Sequence, residues 1–186
     1  MKIIEKTTEF RIGQETAVAI GKFDGFHRGH QKLLNRIKEQ KERGLASVVF
    51  TFVPSPAAFF SKEPEQDLTT IEEKRKIFEE AGVDYLIEYP FYQEIADMDP
   101  EIYISRVLVE QLNAKCIVAG EDVSFGKIGL GDCRLLKEKA MQYGYEVVII
   151  DKVLYKGKEV SSTYVREAVR QGDMELADQL LGQPYH

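Results

Sequence analysis

The sequence predicts an α/β fold: a Rossmann-like, doubly wound parallel sheet of about five strands flanked by helices. Three observations carry that expectation. Apolar runs of strand length alternate along the chain with segments of helical periodicity. The runs are apolar almost throughout rather than at every second position, as strands covered on both faces are. Their βαβ order closes only through right-handed crossovers, which set the strands parallel.

The elements follow in order. TAVAIG (16–21) reads as the first strand. Residues 29–43 place Leu33, Leu34 and Ile37 on one helical face, with lysines and arginines elsewhere. LASVVFTF (45–52) is the second strand, and the proline-bearing stretch 53–68 after it is the segment expected to be most mobile. Thr70 and Glu73 form a capping-box pattern ahead of KRKIFEEAG, whose Gly82 suits a helix end. VDYLIEY (83–89) is the third strand. Asp99 and Pro100 suit the cap and first position of the helix EIYISRVLVEQL. AKCIVAG (114–120) and YEVVIID (145–151) are the remaining strands, with an amphipathic helix at 132–143 between them. Two short helices, near 162–171 and 173–181, close the chain.

Composition narrows the function classes. A length of 186 residues suits one domain, 1–186, and 44% hydrophobic with 30% charged residues excludes a disordered chain. The net charge of −6 argues against a polyanion-binding surface, and so against nucleic acid, while a few cations focused in a cleft could still hold an anionic ligand. The opening MKIIEKTTEF has no long apolar stretch, which argues against a secretory signal. No run approaches the ~20 apolar residues of a membrane span, so no membrane partner is expected. The two isolated cysteines, Cys116 and Cys133, fit a reducing, cytoplasmic setting. Oligomeric state and metal ligands are not legible.

Two constellations carry chemistry. In AIGKFDGFHRGH (19–30) two of the chain's three histidines, His27 and His30, stand at a strand-to-helix turn among Gly21, Gly25 and Gly29. Glycines allow close backbone approach to an anion, and a helix start adds free N–H groups and the positive dipole end. Two imidazoles three positions apart could face one ligand and stabilise charge growing on a phosphate. The same pair also suits ordinary polar residues at a helix start. As zinc ligands they would need Cys116, Cys133 or His186 to complete four, and the glycine spacing is not that of a dinucleotide fingerprint. The second constellation is VSSTYVREAV (160–169). Ser161, Ser162 and Thr163 precede a helix with Arg166 one turn in, which suits either phosphate oxygens or a plain N-cap with a solvated arginine. Both follow expected strands, and so both suit the ligand-binding edge beyond the strands' carboxyl ends.

GKFDGFHRGH together with VSSTYVR resembles the nucleotidylyltransferase superfamily, with its His-x-Gly-His and Ser-Ser-Thr-x-x-Arg signatures. More closely, the chain resembles the FMN adenylyltransferase module of prokaryotic bifunctional riboflavin kinase/FAD synthetases. The likeness runs on through VVFTFVPSP, LTTIEEK, GVDYLIEYPF, VAGEDVSFG and GDMELADQLLGQPY. It implies a His-x-Gly-His nucleotidylyltransferase fold and adenylyl transfer from ATP to FMN, giving FAD and pyrophosphate with Mg²⁺ accompanying the nucleotide. The riboflavin kinase module that would follow GQPY is expected to be absent. By the resemblance, His27 and His30 hold the α- and β-phosphates, and Ser162, Thr163 and Arg166, with Ser161, bind the departing pyrophosphate. Gly21, Lys22, Phe23, Asp24, Gly25 and Gly29 shape the turn and adenosine pocket. Asp122 and the 54–60 loop, with Pro56, Phe59 and Phe60, flank the flavin. Lys22 stands where the family often has asparagine, Ser55 where it has histidine, and Ser124 and Gly129 where it has arginine. Transfer to another phosphate ester such as phosphopantetheine, and non-catalytic flavin or nucleotide binding, are the alternatives.

Overall fold

The apolar runs all pair in one sheet, and a further strand joins them. A computed structural model describes residues 1–185. The strands are β1 (Lys2–Glu5), β2 (Thr16–Ile20), β3 (Ala46–Val53), β4 (Tyr85–Pro90), β5 (Ala114–Gly120) and β6 (Glu146–Ile150). They lie in the order β1-β4-β3-β2-β5-β6, every neighbouring pair parallel. β1 makes six strands instead of about five because KIIE is short, charged at both ends and on the half-exposed edge, where no long apolar run is required. An antiparallel hairpin of β7 (Leu154–Tyr155) and β8 (Lys158–Glu159), also outside the expected pattern, follows β6.

The helices start where capping chemistry places them. α1 (Arg28–Glu39) is capped by His27, and α2 (Pro56–Phe60) by Ser55 within the proline-bearing stretch. α3 (Ile71–Glu80) carries the full capping box: Thr70 Oγ1 accepts from Glu73 N at 3.1 Å, and Glu73 accepts from Thr70 N at 2.6 Å. α4 (Gln93–Ala96) is one turn long. α5 (Pro100–Ile102), capped by Asp99, runs on as a π-helical stretch through Tyr103–Gln111. α6 (Cys133–Tyr143), α7 (Ser162–Arg170) and α8 (Met174–Leu181) begin at Asp132, Ser161 and Asp173. Among the described residues no helix is long and apolar enough to cross a membrane. His186 lies outside the described residues.

Strand period divides the core in two. Val18, Ile20, Val48, Phe50 and Ile87 face Ile104, Val107 and Leu108, while Ala17, Ala19, Val49, Leu86 and Val118 face Leu33, Leu34, Ile37 and Phe78. Arg75 locks the far edge by gripping Glu88 at 2.8 and 2.6 Å and reaching Glu5 at 2.6 Å, which joins α3, β4 and β1. The Glu88 hydrogen bonds hold this guanidinium above its ordinary pKa. From β2 the chain steps through β3 to β4 on one side, then crosses back to β5 on the other. The loops leaving β2 and β5 therefore diverge and open a crevice beyond the strands' carboxyl ends.

Candidate active site

The turn after β2 is held in a shape that ordinary residues adopt reluctantly. Phe23, Gly25 and Phe26 all have positive φ, and a Cβ on Gly25 would stand 2.8 Å from Leu68 Cδ1. A Cβ on Gly29 would stand 2.9 Å from His27 Cε1. Gly29 must therefore be bare for His27 to fold back as the cap of α1, with Nδ1 accepting from Gly29 N at 3.1 Å. His30 follows one turn later, and the two rings stack with centroids 3.7 Å apart. Phe23, fully buried, supports His30 from behind at 5.3 Å and packs on Phe78.

Because His27 Nδ1 is engaged, only Nε2 of that ring is free to serve a ligand. Burial lowers the His27 pKa to about 4, against the opposing pull of Asp24. Burial also takes His30 well below the usual histidine range, and the fields of His27 and Lys74 act in the same direction. Both rings are thus neutral at pH 7. The unfolded chain takes up these protons near pH ~6.5, whereas folded His27 waits until about 4, so stability falls as pH drops through that window. The urea midpoint is expected to decline between those values, and to decline less in His30→Gln. A wild-type midpoint that stays level there contradicts the buried, neutral pair.

A cavity of about 420 Å³ opens over the pair at the β2/β5 divide. Of the expected residues it is lined by Gly21, Lys22, His27, Gly29, His30, Pro56 and Asp122. Asp122 is paired with Lys152 at 3.0 Å, and Lys152 also holds Glu159 at 3.2 Å. Phe52, Pro56, Tyr103, Ser124 and Phe125 also wall a second cavity of about 490 Å³, completed by Phe60, Phe91 and Ile128. Two hollows, one beside the histidines and one largely aromatic, therefore meet along a common wall. Among the described residues, two buried side-chain polar atoms lack a hydrogen-bond partner: His30 Nδ1 and the Tyr103 hydroxyl. Both residues line the first cavity. An unmet buried group costs ~1–3 kcal/mol, which marks this wall as one that awaits a partner.

The second constellation corrects the sequence reading. Arg166 does not line the hollow with the histidines. The residue is 8% exposed and its guanidinium is fully engaged: it pairs with Asp24 Oδ2, Nη1 donates to Glu65 at 2.8 Å, and Nε donates to the Gln66 carbonyl at 3.1 Å. Ser161 Oγ accepts from Tyr164 N at 3.1 Å as the α7 cap, and Ser162 Oγ donates to the Asp24 carbonyl at 2.8 Å. Thr163 is exposed and outside the cavity lining. Asp24 is the hub. It is 0% exposed and its Oδ1 accepts from Leu68 N and Thr69 N at 2.8 and 3.2 Å. Asp24, Phe23 and Gly25 shape the turn from behind and do not touch the hollow.

Sequence reasoning missed several walls. Asp151 and Lys152 directly follow β6, a position that the carboxyl-end rule could have singled out. Tyr103 carries no such signal, since it reads as one more position of an amphipathic helix. No group of three metal-ligating side chains is found among the described residues.

Comparison with known proteins places this geometry. The sequence profile described as FAD synthetase matches residues 10–164. A bifunctional riboflavin kinase/FMN adenylyltransferase of Buchnera aphidicola subsp. Schizaphis graminum is 37% identical over 94% of this chain and 57% of its own length. Proteins of the same name are 36% identical in Escherichia coli, over 90% and 54%, and 34% identical in Bacillus subtilis, over 100% and 60%. The chain thus spans little more than half the length of these curated relatives. Among solved structures, one described as a macrolide-efflux protein from Streptococcus pneumoniae superposes with a TM-score of 0.86 at 28% identity, covering 98% of this chain and 60% of that one. A pantothenate synthetase from Thermus thermophilus, at 0.54 and 18% over 97% and 82%, shares the fold alone.

Proposed function

The chain belongs to the FAD synthetase family, and on that premise we propose that it transfers the adenylyl group of ATP to FMN, releasing pyrophosphate. The observation that carries this reading is the pair of adjoining cavities, the first lined by both residues with an unpartnered buried polar atom, His30 and Tyr103, and Tyr103 standing on the wall the two share. The aromatic hollow suits an isoalloxazine ring, which stacks on Phe60, Phe91 or Phe125 and offers polar atoms to Tyr103. The hollow over His27 and His30 suits the nucleotide, whose phosphates meet the bare backbone of Gly21 and Gly29 and the start of α1.

The reaction forms a bond between an FMN phosphate oxygen and the α-phosphorus of ATP. The bond from that phosphorus to the bridging oxygen breaks, and its electron pair leaves with pyrophosphate. No covalent enzyme intermediate is needed. Catalysis comes from alignment in a desolvated site and from hydrogen bonds that strengthen as charge builds. A phosphate beside neutral, buried imidazoles favours their protonated forms, so binding draws protons onto His27 and His30 as the charge arrives. Arg166 and Ser162, held by Asp24, enter this scheme as groups that position the turn.

Mg²⁺ fits as a companion of the nucleotide rather than a resident ion, since Asp122, Asp151 and Glu159 line the cavity without forming a closed ligand set. It would offset the polyphosphate charge. A cytoplasmic setting agrees with the free thiols of Cys116 and Cys133. The test is incubation with Mg-ATP and, in parallel, riboflavin, FMN, phosphopantetheine or nicotinamide mononucleotide, with products separated by chromatography. FAD from FMN alone supports the reading. A product from another acceptor, or flavin binding without turnover, overturns it.

A further inference from the structure

A third cavity, of about 230 Å³, lies beside the first and shares Lys22, Thr51, Phe52 and Ser55 with it. Its other walls include Lys74, Asp67, Glu88 and the apolar side chains of Phe78 and Leu86. Both carboxylates in it are committed. Asp67 pairs with Lys22 at 3.2 Å, and Glu88 is held by Arg75 at 2.8 and 2.6 Å. Lys74, half-buried on α3, has no ion-pair partner among the described residues. Arg75 spends its charge on Glu88 and Glu5, and Lys22 on Asp67, so Lys74 is the cation of this recess that no carboxylate contacts.

That uncontacted cation sits in a chain whose net charge is −6. Burial lowers the Lys74 pKa even though Asp67 and Asp24 pull it up, as expected of an ammonium group short of both water and a close counter-charge. Its field also reaches His30, which places it near the reacting centre. The side on which it lies is informative. The cavity borders Ser55 and Ala58 at the start of α2, whose Pro56 and Phe60 wall the aromatic hollow. None of its lining comes from Gly120–Val123 or Asp151–Val160, the opposite side of the first cavity.

We propose that Lys74, together with Lys22, forms the subsite for the phosphate of the flavin acceptor, separate from the turn that takes the nucleotide's phosphates. This rests on the FMN adenylyltransferase reading. With the isoalloxazine in the aromatic hollow, the phosphate passes Pro56 and Ser55 and meets the two ammonium groups. Two of its oxygens are held there, and the third stays free to attack the α-phosphorus. The ammonium groups also offset the repulsion between two anionic substrates and keep the attacking phosphate fully ionised.

The test compares FMN with riboflavin, which lacks the phosphate. Equilibrium binding of each is followed by flavin fluorescence, and KM is measured separately for FMN and ATP, in wild type, Lys74→Met and Lys74→Arg. Loss of one charge-assisted contact weakens binding roughly ten- to a hundred-fold. The expected result is a rise of that size in FMN Kd and KM for Lys74→Met, with riboflavin Kd and ATP KM unchanged and Lys74→Arg close to wild type. Equal weakening of riboflavin and FMN, an unchanged FMN Kd, or a rise confined to ATP KM overturns the proposal. A wild-type protein that makes no FAD would overturn the proposed function instead, and the FMN-against-riboflavin comparison would still read Lys74.

Discussion

His30→Ala is expected to lower the rate of FAD formation by ~10²–10³-fold, the usual effect of deleting one donor aimed at developing charge. The reason is local. His27 has already spent Nδ1 on Gly29 N, so it brings a single nitrogen to the ligand, whereas His30 Nδ1 has no partner among the described residues. Stability should change much less than rate. The variant loses ring packing against Phe23 and His27 but also removes a buried, unpartnered polar atom, and the two effects partly offset. A rate equal to wild type would remove His30 from the reaction. A rate loss matched by a collapse in folding, with His30→Gln restoring both, would make it a packing residue.

Asp24→Ala carries the other large effect, and it falls on stability. The carboxylate is wholly buried and joins three segments: its own turn, the Leu68–Thr69 backbone and α7 through Arg166. Removing it strands a nearly buried guanidinium and two backbone N–H groups, a loss of about 3–5 kcal/mol. The expected measurement is a large fall in the urea midpoint, with catalysis failing because the turn that presents His27 is no longer fixed. The double variant Asp24→Ala/Arg166→Met separates the causes. Deleting both charges should recover part of the stability and none of the activity. If Asp24→Ala unfolds at the wild-type midpoint, this hub does not hold the turn.

Much of the architecture was legible because burial on both faces of a parallel sheet writes continuous apolar runs, and because caps such as Thr70–Glu73 and Asp99–Pro100 are local chemistry. β1 was not, since an edge strand of four residues needs no such run. The site divides in the same way. His27, His30, Gly21 and Gly29 are adjacent in sequence, so their spacing alone places them at one helix start. Arg166 was expected to face the histidines, yet side-chain direction depends on distant partners, and Asp24 and Glu65 turn it elsewhere. Lys74 and Tyr103 gained meaning only when packing set one in a recess with no carboxylate in contact with its ammonium group and left the other's hydroxyl without a partner.

The central claim is that the two adjoining cavities hold a nucleotide and a flavin at once, with the histidine pair between their reacting phosphates. A crystal structure of the protein with FMN and a non-reactive ATP analogue tests it most directly. The account predicts an α-phosphate oxygen within hydrogen-bonding distance of a His30 ring nitrogen and the isoalloxazine between Phe60 and Phe125. A nucleotide bound away from the turn after β2, or a flavin outside the aromatic hollow, would contradict it.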